Sequence, residues 1–311
     1  MKEKFKTYAI ADVMAIILVA VMVFASEYFG EREIIFPEMA ALSVGYLVSK
    51  KRGWMVNDSR ILGLITGCAV LGVLIVRYIN IGDYLEVLMA FIISQIIFLY
   101  SGTTLAPFIS AIVLPVVLQT TTWVYPISAF ILTAVLILGH RLLLKLGIRE
   151  DEEYTPVRLD SKEDKKDALI RVLILAVVGA AAYASGFKFA IAPPLLVAFA
   201  ELSRPGNKAK KKPFKTIALL TLCALEGAVI RYVLVLKLGF SLTFAAAVIM
   251  LIALLIIHMF DMYMPPAGAI AILSILIPAE AVATFPLQVF AGVSIFVFCA
   301  GTIFSRREAG K

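Results

Sequence analysis

Charge is scarce in this chain. Asp, Glu, Lys and Arg make up 16% of its 311 residues, where a soluble domain carries about 25%. Little polar sequence is left from which to build a soluble catalytic domain. Cysteine is also rare: Cys68, Cys223 and Cys299 are the three, all inside apolar runs and with no C-x-x-C pair. An odd count without that pair excludes a disulfide framework and a zinc site, and leaves them as small core residues. There is no Walker loop, HExxH, GxSxG or Rossmann fingerprint, which argues against an ATP-driven pump and, more weakly, against an intramembrane enzyme. No cofactor is expected. The net charge of +7 forms no nucleic-acid patch, because Lys and Arg stand in short blocks between apolar runs.

Apolar sequence dominates. Hydrophobic residues make up 61% of the chain and the mean hydropathy is +0.96. That composition predicts an all-α polytopic membrane protein embedded in a lipid bilayer. Segments are expected near 8–26, 35–49, 59–79, 85–100, 104–119 and 124–144, then near 168–186, 189–203, 214–235, 239–258, 264–279 and 284–304. The first follows Lys2, Lys4 and Lys6 and reads as a retained helix, since further spans follow at once. Four segments, 35–49, 104–119, 189–203 and 264–279, are shorter than the roughly 20 residues of a perpendicular span and read as half-helices, re-entrant elements or short crossings. Short segments at matching places in two halves are the pattern of transporters whose broken helices line a binding site.

Basic residues alternate from loop to loop. One set of loops holds Lys50, Lys51 and Arg52, then Arg141, Lys145 and Arg149, then Arg204, Lys208, Lys210, Lys211, Lys212 and Lys215, then Arg306, Arg307 and Lys311. The other set holds Glu27, Glu31, Glu33, Asp83, Glu86 and Glu280. The bias predicts both termini on the cytoplasmic side of the plasma membrane. It holds at every loop only if the short segments also cross, which favours about twelve crossings over eight. The mixed-charge stretch 145–167 reads as a flexible cytoplasmic linker between membrane repeats 1–144 and 168–311.

The two repeats resemble each other. RILGLITGCAVLG (60–72) lies over KTIALLTLCALEG (215–227), pairing Cys68 with Cys223, Ala69 with Ala224 and Gly72 with Gly227. VRY (76–78) and IRY (230–232) follow, shifted by one. Upstream, FPEMAALSVGYLVSKKRG corresponds to APPLLVAFAELSRPG. Downstream, the 106–115 run corresponds to 265–278 in an ambiguous register. Six crossings per repeat would make the repeats parallel, with a cavity between them for a solute.

Several residues could carry chemistry. Met264-Pro265-Pro266-Ala267-Gly268 opens a short helix whose free N–H groups and small residues suit an anion, or equally a tight helix–helix contact. Thr103 and Thr104 are its counterparts in the first half, as caps or solute-binding hydroxyls. Glu226 lies mid-run, as a proton-coupling group or a structural hydrogen-bonding one. Arg77 and Arg231 stand near the outer ends of equivalent helices, as snorkelling residues or vestibule charges. Glu38 and Glu201 flank the second segments as interfacial caps or vestibule charges. His258 and Asp261 share a helical face if the helix continues. His140, Trp54, Trp123 and Tyr125 read as interfacial.

The stretch from about 190 to 305 resembles the HPP family of integral membrane proteins, through Pro213, Cys223-Ala224-Leu225, Gly227 and the Met264–Ala269 element. Met264 stands where that family has its name-giving histidine. Polar residues of the family's third segment are replaced around Lys215, Ala218, Leu219 and Leu220. Plant and cyanobacterial members are associated with nitrite transport. The first half is similar, more loosely, to the membrane part of fusaric-acid-resistance or aromatic-acid exporters, through Arg60, Leu62, Gly63 and Gly67. Both resemblances imply transport of small anionic solutes. The expectation is a secondary transporter or channel-like permease for a small anionic solute, not an enzyme. The alternatives are a membrane enzyme or an assembly or scaffold protein, and a homo-oligomer is compatible with each.

Overall fold

A computed structural model describes residues 2–49 and 51–304, and the side chains from residue 9 on. Lys50, Arg306, Arg307, Lys311 and the side chains of Lys2, Lys4 and Lys6, all used in the charge bias, lie outside the described residues.

The described residues are helical and contain no strand. α1 (Lys2–Phe29) leads to the short α2 (Glu38–Ser43), which continues as a π-helical turn over Val44–Val48. Then follow α3 (Asp58–Tyr78), α4 (Asp83–Tyr100), the short α5 (Phe108–Leu118) and α6 (Val124–Lys145). The second half runs α7 (Lys162–Ala184), α8 (Pro193–Leu202), α9 (Pro213–Ile230), α10 (Leu242–Met259), α11 (Pro265–Leu276) and α12 (Phe285–Cys299). α9 and α12 extend as π-helical turns over Arg231–Lys237 and Ala300–Phe304.

Eight helices are long and apolar enough to cross a membrane: α1, α3, α4, α6, α7, α9 with its extension, α10 and α12 with its extension. Between 28% and 44% of each apolar stretch is buried inside the protein, so these eight form an outer ring. α1 shows why: Ala11, Ala15, Val19 and Met22 point inward, while Val13, Ile17, Val21 and Phe24 are exposed. Small residues allow close helix approach, and large apolar ones meet lipid.

The short helices form the core. Every residue of α2, α8 and α11 is buried, as is α5 from Phe108 to Val117. Proline opens α8 and α11 at the first helical positions, where its missing N–H costs nothing. The α2 and α5 segments, with their flanking turns, make contacts at both of their ends. The Phe36 ring meets Tyr125 at the start of α6, with centroids 5.8 Å apart, and the Leu47 carbonyl accepts from Arg149 beyond the end of α6. Thr103 bonds Met55 just before α3, and Gln119 beyond α5 reaches Glu86 in the first turn of α4 at 3.3 Å.

The packing order repeats after six elements. α3 packs on α5 and α6, and α9 on α11 and α12; α4 packs on α5, and α10 on α11. α2 lies against α11, and α8 against α5. α1 packs on α10, and α7 on α4. Gly72 meets the Ile112 carbonyl of α5, and Gly227 meets the Ala271 carbonyl of α11, in both places with no room for a Cβ. The two contacts fall at residue 112 in α5 and at residue 271 in α11.

The linker is held against the first half. The Arg52 N–H donates to Glu152 at 3.0 Å, the Tyr154 hydroxyl to the Gly102 carbonyl at 2.8 Å, and the Val157 N–H to that same carbonyl at 3.0 Å. α7 begins at Lys162 through a Ser161–Asp164 capping box, some residues earlier than expected.

Candidate functional site

Two cavities open at opposite ends of the four-helix core. One, of about 370 Å³, lies at the face that carries Arg204, Lys208 and Lys212, and is bordered by Trp54, Glu201, Asp261 and Met264-Pro265. The other, of about 390 Å³, is bordered by Arg32, Glu33, Asp83, Tyr125, Lys188 and Leu276. Pro265 at the start of α11 borders the first and Leu276 at its end borders the second. The 12 residues of α11, at a rise of about 1.5 Å each, put roughly 18 Å of wall between them.

Each cavity mixes cations with carboxylates. On the basic face, Glu201 sits in the last turn of α8, buried, and its Oε1 accepts from the Trp54 indole N–H at 2.7 Å. Arg204 follows directly and donates to the Thr104 carbonyl at 3.4 Å. Burial lowers the Arg204 guanidinium from its ordinary value, and the Glu201 charge opposes that shift. On the opposite face, Arg32 donates to the Leu276 carbonyl at 3.1 Å, and the Lys188 ammonium stands 5.4 Å from the centre of the Phe189 ring. Arg32 and Lys188 occupy matching turns before α2 and α8.

The wall holds a buried contact between two polar side chains. Ser110 of α5 donates to Glu38 of α2. The other oxygen of Glu38 is buried without a partner.

Residues singled out in the sequence fall in different places. Pro265 borders the basic-face cavity. Pro266, Ala267 and Gly268 are buried in the wall, with Gly268 against Ala40 and Val44 of the α2 segment, the close packing that small residues permit. The Thr103 hydroxyl donates to the Met55 carbonyl at 2.6 Å, and the Thr104 hydroxyl accepts from the Met55 N–H at 2.8 Å. Both threonines therefore tie two loops together. Arg77 is exposed, its guanidinium 5.2 Å from the centre of the Trp123 ring. Arg231 is buried and donates to the carbonyls of Ser274 and Ile277 at the end of α11, so it clamps the wall from outside the cavities. Glu226 borders neither cavity, and both its carboxylate oxygens are buried without a partner. His258 bridges Asp12 of α1 at 2.9 Å and the Tyr263 hydroxyl at 3.2 Å. Asp261 lies beyond the end of α10 with φ 40°, so the two do not share a continued helical face.

Arg171 was not singled out. It is buried in α7, its Nε donating to Gln95 of α4 at 2.7 Å and its Nη1 to Ser203 at 3.2 Å. An arginine inside an apolar run was its visible signal. Among the described residues, no His, Cys, Asp and Glu side chains gather into a group that could hold a metal ion. The chain matches no family model, no curated protein and no solved structure.

Proposed function

We propose that this chain is a secondary transporter or channel-like permease that moves a small anionic solute across a lipid bilayer. The observation that carries the reading is the pair of cavities at opposite ends of a wall of buried short helices. A protein that opens one cavity at a time needs such a wall and side-chain contacts that can be exchanged across it. Arg204, Lys208 and Lys212 on one side, and Arg32 and Lys188 on the other, favour an anion at both mouths.

The same proposal includes twelve crossings in two parallel repeats, with the basic face and both termini in the cytoplasm of a plasma-membrane protein. It is supported by the packing order that recurs after six elements, by the matched Gly72 and Gly227 contacts, and by the basic loops. Kinship with the HPP family enters through the Met264–Ala269 element at the mouth of the basic-face cavity. Glu226 enters as a carboxylate sealed in α9 without a partner, a costly arrangement that protonation relieves.

The test is flux into proteoliposomes across nitrite, formate and aromatic carboxylates. Accumulation of at least one of these, lost when Arg204 and Lys212 are both changed to Gln, is the expected result. Folded protein that moves none of them would sink the reading.

A further inference from the structure

Trp54 occupies an unusual position. Its ring lies against Gly45 of the α2 segment so closely that a Cβ there would overlap it, and Pro265 of α11 is adjacent. The indole thus fills the junction between the α2 segment and α11 at the floor of the basic-face cavity. Its single polar atom is the N–H, which donates to Glu201. This bond joins residues 147 apart in sequence, one in each half.

We infer that Glu201 is a proton-binding carboxylate that couples anion entry to the release of Trp54. The inference deepens the transport reading above and rests on it. Ionised Glu201 holds the indole by a charge-assisted hydrogen bond and keeps the floor closed. A proton taken from water onto the carboxylate leaves a neutral acid, whose bond to the indole is about half as strong. It also removes the negative charge that opposes an anion settling beside Arg204, Lys208 and Lys212.

The surroundings of Glu201 make it the group that decides. Arg204, Lys208, Lys212, Asp261 and Tyr263 face the same cavity. Of the helices packed on α8, α5 brings only Ser110 as a polar side chain, and that is bonded to Glu38. α11 brings only Ser274, which donates to the Ala271 carbonyl. α12 brings Gln288, bonded to the Phe189 N–H at the far end, Ser294, and the titratable Cys299. The turn before α8 brings Lys188, also at the far end. Glu201 thus borders the cavity and also anchors a wall residue through the Trp54 N–H. Glu38 is sealed in the wall, Glu226 lies off both cavities, and Asp261 is exposed.

The chain has two tryptophans, so Trp123→Phe leaves Trp54 as the sole reporter. The emission of Trp54 in this purified variant is read while pH is varied, alone and with formate, acetate or sulfate. A reversible transition with one midpoint is expected, absent in Glu201→Gln. At least one of the three anions should move the midpoint to higher pH, because an anion that prefers neutral Glu201 stabilises the protonated form. Emission that ignores pH, a transition that survives in Glu201→Gln, or a midpoint that no anion moves each overturns the inference. Should Glu201→Gln fail to fold, Glu201→Asp retracts the carboxylate by one methylene and is expected to shrink the transition; an undiminished one overturns it equally. The titration requires no flux. Flux with a flat titration sinks this inference alone, and a titration without flux sinks the transport reading alone.

Discussion

Gly72 and Gly227 make the same contact 155 residues apart. Each lets its long helix touch a backbone carbonyl of a short one, at Ile112 and at Ala271. A methyl group fits at neither point without displacing backbone. Gly72→Ala and Gly227→Ala are each expected to destabilise the protein by about 1–3 kcal/mol, the usual cost of overpacking. Thermal unfolding in detergent measures it. Gly63→Ala, which faces open space, is the control and should leave the midpoint unchanged or slightly higher.

Arg231 and Arg77 look alike in the sequence and should behave differently. Arg231→Gln removes donors from two buried carbonyls at the end of α11. A loss of about 2–4 kcal/mol is expected, since hydrogen bonds from charged groups contribute about 1.5–3 kcal/mol each. Arg77→Gln removes an exposed cation from the Trp123 ring and should cost about 0.5–1 kcal/mol. Equal effects would mean that the α11 clamp is not what Arg231 provides.

Twelve crossings and eight make different demands on the short segments. If the α2 segment crosses, Glu31 and Lys51, both exposed, lie on opposite faces of the bilayer. Single cysteines at these positions, in a background lacking the native three, should then react with an impermeant maleimide from opposite sides of an oriented vesicle. Labelling from one side at both positions would make the segment re-entrant.

Glu226 has no partner for either oxygen. Glu226→Gln is expected to leave the unfolding midpoint unchanged or higher, because it removes a costly group without orphaning another. The pH profile of flux should flatten at the same time. An unchanged profile would remove Glu226 from coupling.

The long helices were legible because an apolar run of about 20 residues has few other fates. The short ones were legible in place and length, and their burial follows from having small or apolar residues on every side, as in Ala267–Ile272. Gly72 and Gly227, which the sequence sets in register, each lie against a backbone carbonyl of a short helix. Other features were not. Trp54 and Glu201 meet across 147 residues, and nothing local in SKKRGWMV or VAFAELSR says so. The linker looked free because its composition is polar, yet Tyr154 and Val157 spend their donors on Gly102. Thr103 and Thr104 read as caps or solute-binding hydroxyls, and their bonds to Met55 across 48 and 49 residues were not visible.

The cross-packing of α1 on α10 and of α7 on α4 has a mechanical meaning. Neither run of six helices is a self-contained body, since each lends its first helix to the other's flank. The α2 segment likewise rides on α11, and α5 on α8. Separating the two runs at the linker would therefore have to break the packing of α1 on α10, α7 on α4, α2 on α11 and α5 on α8.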